Sequence, residues 1–176
     1  MIALSKYMSK NSETPMNDKK QSIYDIASWF LDKESMSHKK LQKLSYYAVA
    51  WGYALLDRPI VEKAEFEAWI HGPVSQSLWS SYGIYGWVSI SKKTQAWRNT
   101  ASTQLSGLEF PKDVLDLLEA VWVTYGSKSA LELEALSHKE LPWVKARNGI
   151  KETERSNAII APSDMRGYYS SIYIAG

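Results

Sequence analysis

The chain is 176 residues long, 45% apolar and 23% charged, with 21 basic against 19 acidic residues and a formal net charge of +2. That is a globular composition, and at this length one domain can bury about 70% of its extended surface without staples. Cysteine is absent, which excludes a disulfide scaffold, a thiolate metal site and a cysteine nucleophile.

Residues 1–21, rich in Ser, Asn, Lys and Met around Pro15, show no sustained periodicity and read as a flexible arm ahead of one domain over 22–176. Lys6, Lys10, Lys19 and Lys20 outweigh Glu13 and Asp18 there, so the remainder is neutral. The N-terminus lacks the order of a signal peptide, and the longest apolar run, Tyr46 to Leu56, is short of the ~20 residues of a membrane helix. A cytoplasmic protein without membrane contact is expected.

Ser22 with Asp25 three residues on is a capping signature, and Ile23, Ile26, Ala27, Phe30 and Leu31 then recur at helical spacing through about Lys33. Ser37 opens a second helix reaching about Leu56, in which Leu41, Leu44, Ala48, Trp51 and Leu55 form a stripe flanked by Tyr47 and Tyr53. Gly52 inside it is read as a close approach by a neighbouring helix, and Arg58-Pro59 ends it. Lys39, Lys40 and Lys43 are read as a solvated face of this helix. Glu65 to Ile70 predicts a short strand or extended segment. His71-Gly72-Pro73 predicts a turn, with Pro73 in the first turn of a helix through about Tyr82.

Residues 83–107, with Gly83, Gly86, Gly107 and many Ser and Thr, read as a loop or small hairpin that carries Tyr85, Trp87 and Trp97. Pro111 opens a helix with Val114, Leu115, Leu118, Val121, Trp122 and Tyr125 on its apolar side, and Gly126 caps its end. Ser129 caps a helix with Leu131, Leu133 and Leu136; Pro142 starts a short one with Trp143 and Ala146; Ser163 caps a last one with Met165, Tyr168, Tyr169 and Ile172. The fold class is mainly α: a single compact helical domain with short extended or hairpin segments around 65–70 and 83–107. Leu41, Leu44, Ala48 and Trp51 are expected to face Leu115, Leu118 and Trp122, with Trp29, Trp51 and Trp122 in the core.

Catalytic signatures are sparse. No Gly-rich phosphate loop follows a strand, and no serine lies in a nucleophile elbow. His38, His71 and His138 stand apart in sequence, so no metal-ligand pair is set on one helix face. Ser137, His138 and Glu140 are too close in sequence to converge as a triad. Glu67 and His71 share one face of an extended segment, which suits either an acid–base pair or a structural hook. In the hook reading Glu67 meets Lys43 or Arg147 and His71 bonds a backbone carbonyl. No basic face suits a nucleic acid. Trp87 and Trp97, with Tyr85 and Arg98, are residue types that dominate binding hot spots, and they form the candidate contact surface.

Three blocks in order resemble a known family. Ser37-His38-Lys39-Lys40-Leu41-Gln42-Lys43-Leu44-Ser45-Tyr46-Tyr47-Ala48 with Trp51 is similar to the opening block of the Panacea domain, the SocA-like antitoxins of prophage-associated proteins. Phe66-Glu67-Ala68-Trp69-Ile70-His71-Gly72-Pro73-Val74 is similar to its second block. Tyr125-Gly126, Ser129-Ala130, Leu136-Ser137-His138-Lys139-Glu140, Pro142-Trp143 and Ala146-Arg147 are similar to its third, with Ser137 where a threonine is common. The resemblance runs from about Ser22 to Tyr169 and omits the arm and residues 83–107. It implies an all-helical antitoxin that neutralises a co-expressed protein toxin by direct contact, in some members as an adaptor to a protease, with no cofactor, no metal and no catalytic residue. Its motif residues, among them Lys40, Lys43, Tyr47, Trp69, His138 and Arg147, are read as structural. The other readings are a prophage accessory protein, an autorepressor binding DNA through the lysine-rich arm, and an acid–base enzyme using Glu67 and His71. Oligomeric state stays open.

Overall fold

The computed structural model describes residues 21–91 and 110–174. Helix α1, Ile23–Lys33, begins in a reciprocal cap: Asp25 N–H donates to Ser22 Oγ at 3.2 Å and Ser22 N–H to Asp25 Oδ2 at 2.7 Å. Helix α2, His38–Leu55, starts at Ser37, whose Oγ accepts from Lys40 N–H. Leu41 through Gly52 are all buried, so α2 is covered on every side and forms the axis of the domain. Around it pack α1, α4 (Lys112–Tyr125), α5 (Ala130–Ser137) and, most extensively, α7 (Pro162–Ile174). Helices α3 (Gln76–Tyr82) and α6 (Leu141–Arg147) and a 3₁₀ turn at Gly83–Tyr85 complete the helical part.

Strand β1, Glu67–Trp69, pairs antiparallel with β2, Gly72–Val74, opposing Glu67 to Val74, Ala68 to Pro73 and Trp69 to Gly72. The other side of β1 is also held: Ala68 N–H donates to Ala158 O and Ile160 N–H to Phe66 O, each at 2.8 Å. The fold is thus mainly α with one small sheet.

Several expectations are corrected. Pro73 lies in β2, not in a helix; the helix starts later because Ser75 supplies the cap, accepting from Leu78 N–H. Gly52 is approached by Ile60 from the following loop, not by a helix: a Cβ there would sit 2.8 Å from an Ile60 methyl. Helix α4 is rotated by about one residue. It buries Val114, Leu117, Leu118, Val121 and Tyr125, which leaves Leu115 exposed and Trp122 half-buried. So α2 faces Leu118 but not Leu115, and Tyr169 of α7 shares the central position, its ring 5.0 Å from Trp51. Trp29 is half-buried too, because Lys33 lies over its ring. Leu131 is exposed and Leu133 alone of its stripe is fully buried. Gly126 caps α4 with a right-handed φ of −61°; what it relieves is the Trp122 ring, 2.6 Å from a Cβ at that position. Helix α7 begins at Pro162, one residue before the expected cap Ser163, since proline's fixed φ suits a first helical position.

Candidate functional site

The three sequence blocks converge where the start of α2, the β1–β2 hairpin and the α5–α6 corner meet. Gln42 grips Ser75 twice: Ser75 N–H donates to Gln42 Oε1 at 2.8 Å and Gln42 Nε2 to Ser75 O at 3.1 Å. That fixes the amide's orientation, so the same Nε2 donates to His38 Nε2 at 2.9 Å. His38 must accept and stays neutral; burial, then the nearby Lys43 charge, lowers its pKa to about 4.

Lys43 lies one turn further on and is 1% exposed, which corrects the solvated lysine face. Its Nζ donates to Pro73 O at 2.9 Å. Burial lowers its pKa to about 7, against a partial restoring pull from Glu134. The other two lysines are engaged as well: Lys39 pairs with Glu134, and Lys40 sits 3.7 Å from Glu34 and over the Trp122 ring. The helix phase puts Lys43 inward, where burial disfavours its charge and a carbonyl and a carboxylate nearby offset only part of that cost.

Gly72 closes over this lysine with a φ of +88°. A Cβ there would lie 2.7 Å from Ser137 Oγ and 2.9 Å from Lys43 Cε, so the hairpin touches both side chains with bare backbone. A near-neutral lysine beside a serine is chemistry-bearing in principle. Here Ser137 is fully buried and donates to Glu134 O, so the pair is sealed under the hairpin.

The α6 side fastens the other strand. Trp143 Nε1 donates to Trp69 O at 3.0 Å; the His138 ring stacks on Trp143 at 4.1 Å and the Arg147 guanidinium lies 4.8 Å from its centroid. Arg147, 2% exposed, donates to Ala68 O at 2.9 Å, to Glu154 O at 2.7 Å and to Lys151 O. It therefore ties β1 to the loop after α6. Pro142 sits in the first turn of that helix.

Beneath lies a buried aromatic cluster. Tyr47 stacks on Tyr125 at 4.1 Å, and Tyr125 accepts from Trp51 Nε1 at 3.0 Å. Tyr47 and Tyr169 both donate to Glu140 Oε2, at 3.2 and 2.6 Å. Burial raises the Glu140 pKa to about 7, the two phenols pulling the other way.

The structure does not bring Glu67 and His71 together. Glu67 accepts from Trp69 Nε1 at 2.6 Å, while exposed His71 Nδ1 lies 3.1 Å from Glu134 Oε1. Neither partner of the expected hook is used, because Lys43 and Arg147 both go to backbone carbonyls. Ser137, His138 and Glu140 also have separate partners. Among the described residues no group of His, Asp and Glu is arranged to hold a metal, and no helix is long and apolar enough to cross a membrane.

Of the candidate contact residues, Trp97 and Arg98 lie outside the described residues. Trp87 is 89% exposed; Tyr85 is half-buried, its ring 6.4 Å from Tyr82. Three further large apolar side chains of the same stretch are exposed and were not singled out by the sequence: Ile84, Val88 and, on α3, Trp79. The missed signal is a stretch, 72–91, without one Asp, Glu, Lys, Arg or His.

The family model of the antitoxin SocA-like Panacea domain matches residues 41–144. The chain belongs to this family. Antitoxin SocA of Caulobacter vibrioides (strain NA1000 / CB15N) is 33% identical over 138 residues, covering 70% of this chain and 69% of that one. No solved structure matches. The Panacea match spans both partners of the lysine clamp, Lys43 and Pro73, and reaches Trp143; Arg147 and Tyr169 close on it from beyond its end. In this SocA-like chain Lys43, Trp143 and Arg147 each bond a backbone carbonyl of the hairpin, and Tyr47 bonds Glu140.

Proposed function

We propose that this chain is an antitoxin that neutralises a co-expressed protein toxin by direct protein–protein contact. The observation that carries the proposal is membership of the SocA-like antitoxin family across most of the helical core. The arrangement of the motif residues supports it. Lys43, Trp143 and Arg147 are spent on bonding hairpin carbonyls and Ser137 on its own helix, and the proposal assigns none of them a reaction. Recognition is left to exposed side chains outside the motifs, which accept sequence change more easily than a packed core.

The test is co-expression in a heterologous host. The reading frame beside this gene should arrest growth alone and be tolerated once this chain is supplied; arrest that persists with this chain present at equal level overturns the proposal. The toxin's level under rescue separates two modes of neutralisation. A steady level marks masking, and a shortened half-life marks delivery to a protease. An autorepressor, by contrast, retards its own promoter DNA at low salt, with an affinity falling steeply as salt rises.

A further inference from the structure

We infer that the turn over residues 83–88 is a preorganised apolar knob, with Trp87 at its tip, that docks in an uncharged apolar pocket on the protein partner; this rests on the antitoxin reading above. Trp87 is 89% exposed, and Ile84 and Val88 beside it are 66% and 64% exposed. A fully displayed tryptophan is the residue type that most often anchors a binding hot spot.

The backbone holds this display in place. Gly86 N–H donates to Gly83 O at 3.0 Å and Val88 N–H to Tyr85 O at 2.9 Å, two successive tight turns. Gly86 takes a φ of +53°, a conformation that side-chain-bearing residues rarely adopt, and that bend precedes Trp87 directly. Two residues beyond Val88, Ile90 and Met36 exchange backbone bonds at 2.8 and 3.2 Å, with Ile90 fully buried. The knob is thus pinned at its base, and docking it costs little further ordering.

The charge pattern selects the occupant. From Gly72 to Ser91 there is no Asp, Glu, Lys, Arg or His. A charged partner group set against this stretch loses its water and gains no counter-charge, so an uncharged pocket fits best. An anionic membrane surface is a poorer match, because the lysines and arginines that draw a peripheral helix or loop to lipid are missing here.

The experiment replaces the gene at its own locus in its host. Deletion comes first and should arrest growth by freeing the toxin; normal growth of the deletion strain overturns the antitoxin reading itself, and the knob with it. Given that arrest, Trp87→Ala should phenocopy deletion with a drop of about a hundredfold or more in plating efficiency. Trp87→Phe, which keeps an apolar ring, should restore growth, and Ser89→Glu, which charges the stretch, should fail. Ile174→Ala, an exposed apolar change on α7, serves as the growing control. Purified Trp87→Ala should melt within ~2 °C of the parent and sediment identically. Normal growth of Trp87→Ala or of Ser89→Glu overturns the knob and its uncharged pocket respectively while leaving the antitoxin reading intact. A parent dimer that Trp87→Ala dissociates assigns the knob to a second copy and overturns it as well.

Discussion

Lys43 shows how a single position can reverse a composition-based reading. Three lysines within five residues at a helix start look like a solvated face, yet the third points inward onto Pro73 O. Its pKa falls from 10.5 unfolded to about 7 folded. Between those values the unfolded chain holds a proton that the folded chain lacks, so stability rises with pH. Glu140, raised to about 7, acts oppositely, but its effect fades over the unit above pH 7. From pH ~7.5 to ~9, below the onset of tyrosine ionisation, unfolding free energy should therefore increase by on the order of 2 kcal/mol. Urea titrations at several pH values measure this, and Lys43→Met should flatten the rise. Gly72→Ala is the companion test. A positive φ together with contacts of 2.7 and 2.9 Å from a new Cβ should cost about 2–4 kcal/mol, read from the denaturation midpoint.

At the scale of elements, the caps did what local chemistry dictates. Ser22–Asp25 and Ser129–Glu132 are both reciprocal, and each starts its helix where the sequence pattern places it. Ser129→Ala should destabilise the fold by about 1 kcal/mol through the lost acceptor for Glu132 N–H, with little change in m-value. The hairpin is different. Three-residue strands have little intrinsic stability, and these hold because Arg147, Trp143 and Lys43 each bond a strand carbonyl. None of those partners is near in sequence, so Glu65 to Ile70 was legible as extended while β2 was read as a helix start.

Across the whole molecule, packing and display are separable. Trp51 is 1% exposed, bonded to Tyr125 and packed on Tyr169, so Trp51→Ala should cost about 3–5 kcal/mol. Trp143→Ala should likewise lower the melting temperature markedly, since it removes the ring that contacts both His138 and Arg147 and the bond to Trp69 O. Trp87→Ala should leave the melt unchanged. Differential scanning calorimetry of the three variants checks the division; a cooperative melt of Trp51→Ala near the parent temperature would show that α2 is not the axis of the core.

The amino-acid sequence by itself determined where most helices lie and, at Ser22, Ser37 and Ser129, where they begin, because caps and 3.6-residue periodicity act within one turn of the chain. It also carried the α2 stripe flanked by Tyr47 and Tyr53 and the three blocks that mark the family. Tertiary structure alone decided the rest. The phase of α4, which exposes Leu115 and buries Leu117, depends on which neighbours arrive. The burial of Lys43 depends on a hairpin thirty residues away supplying its carbonyl. Glu67 and His71 were legible as sharing a strand face, but their partners are set by Trp69 and by Glu134 on α5. Trp87 was legible as an aromatic in a glycine-bearing loop; its display follows from the turns at Gly83–Val88 and the Met36–Ile90 bridge, contacts that periodicity cannot encode.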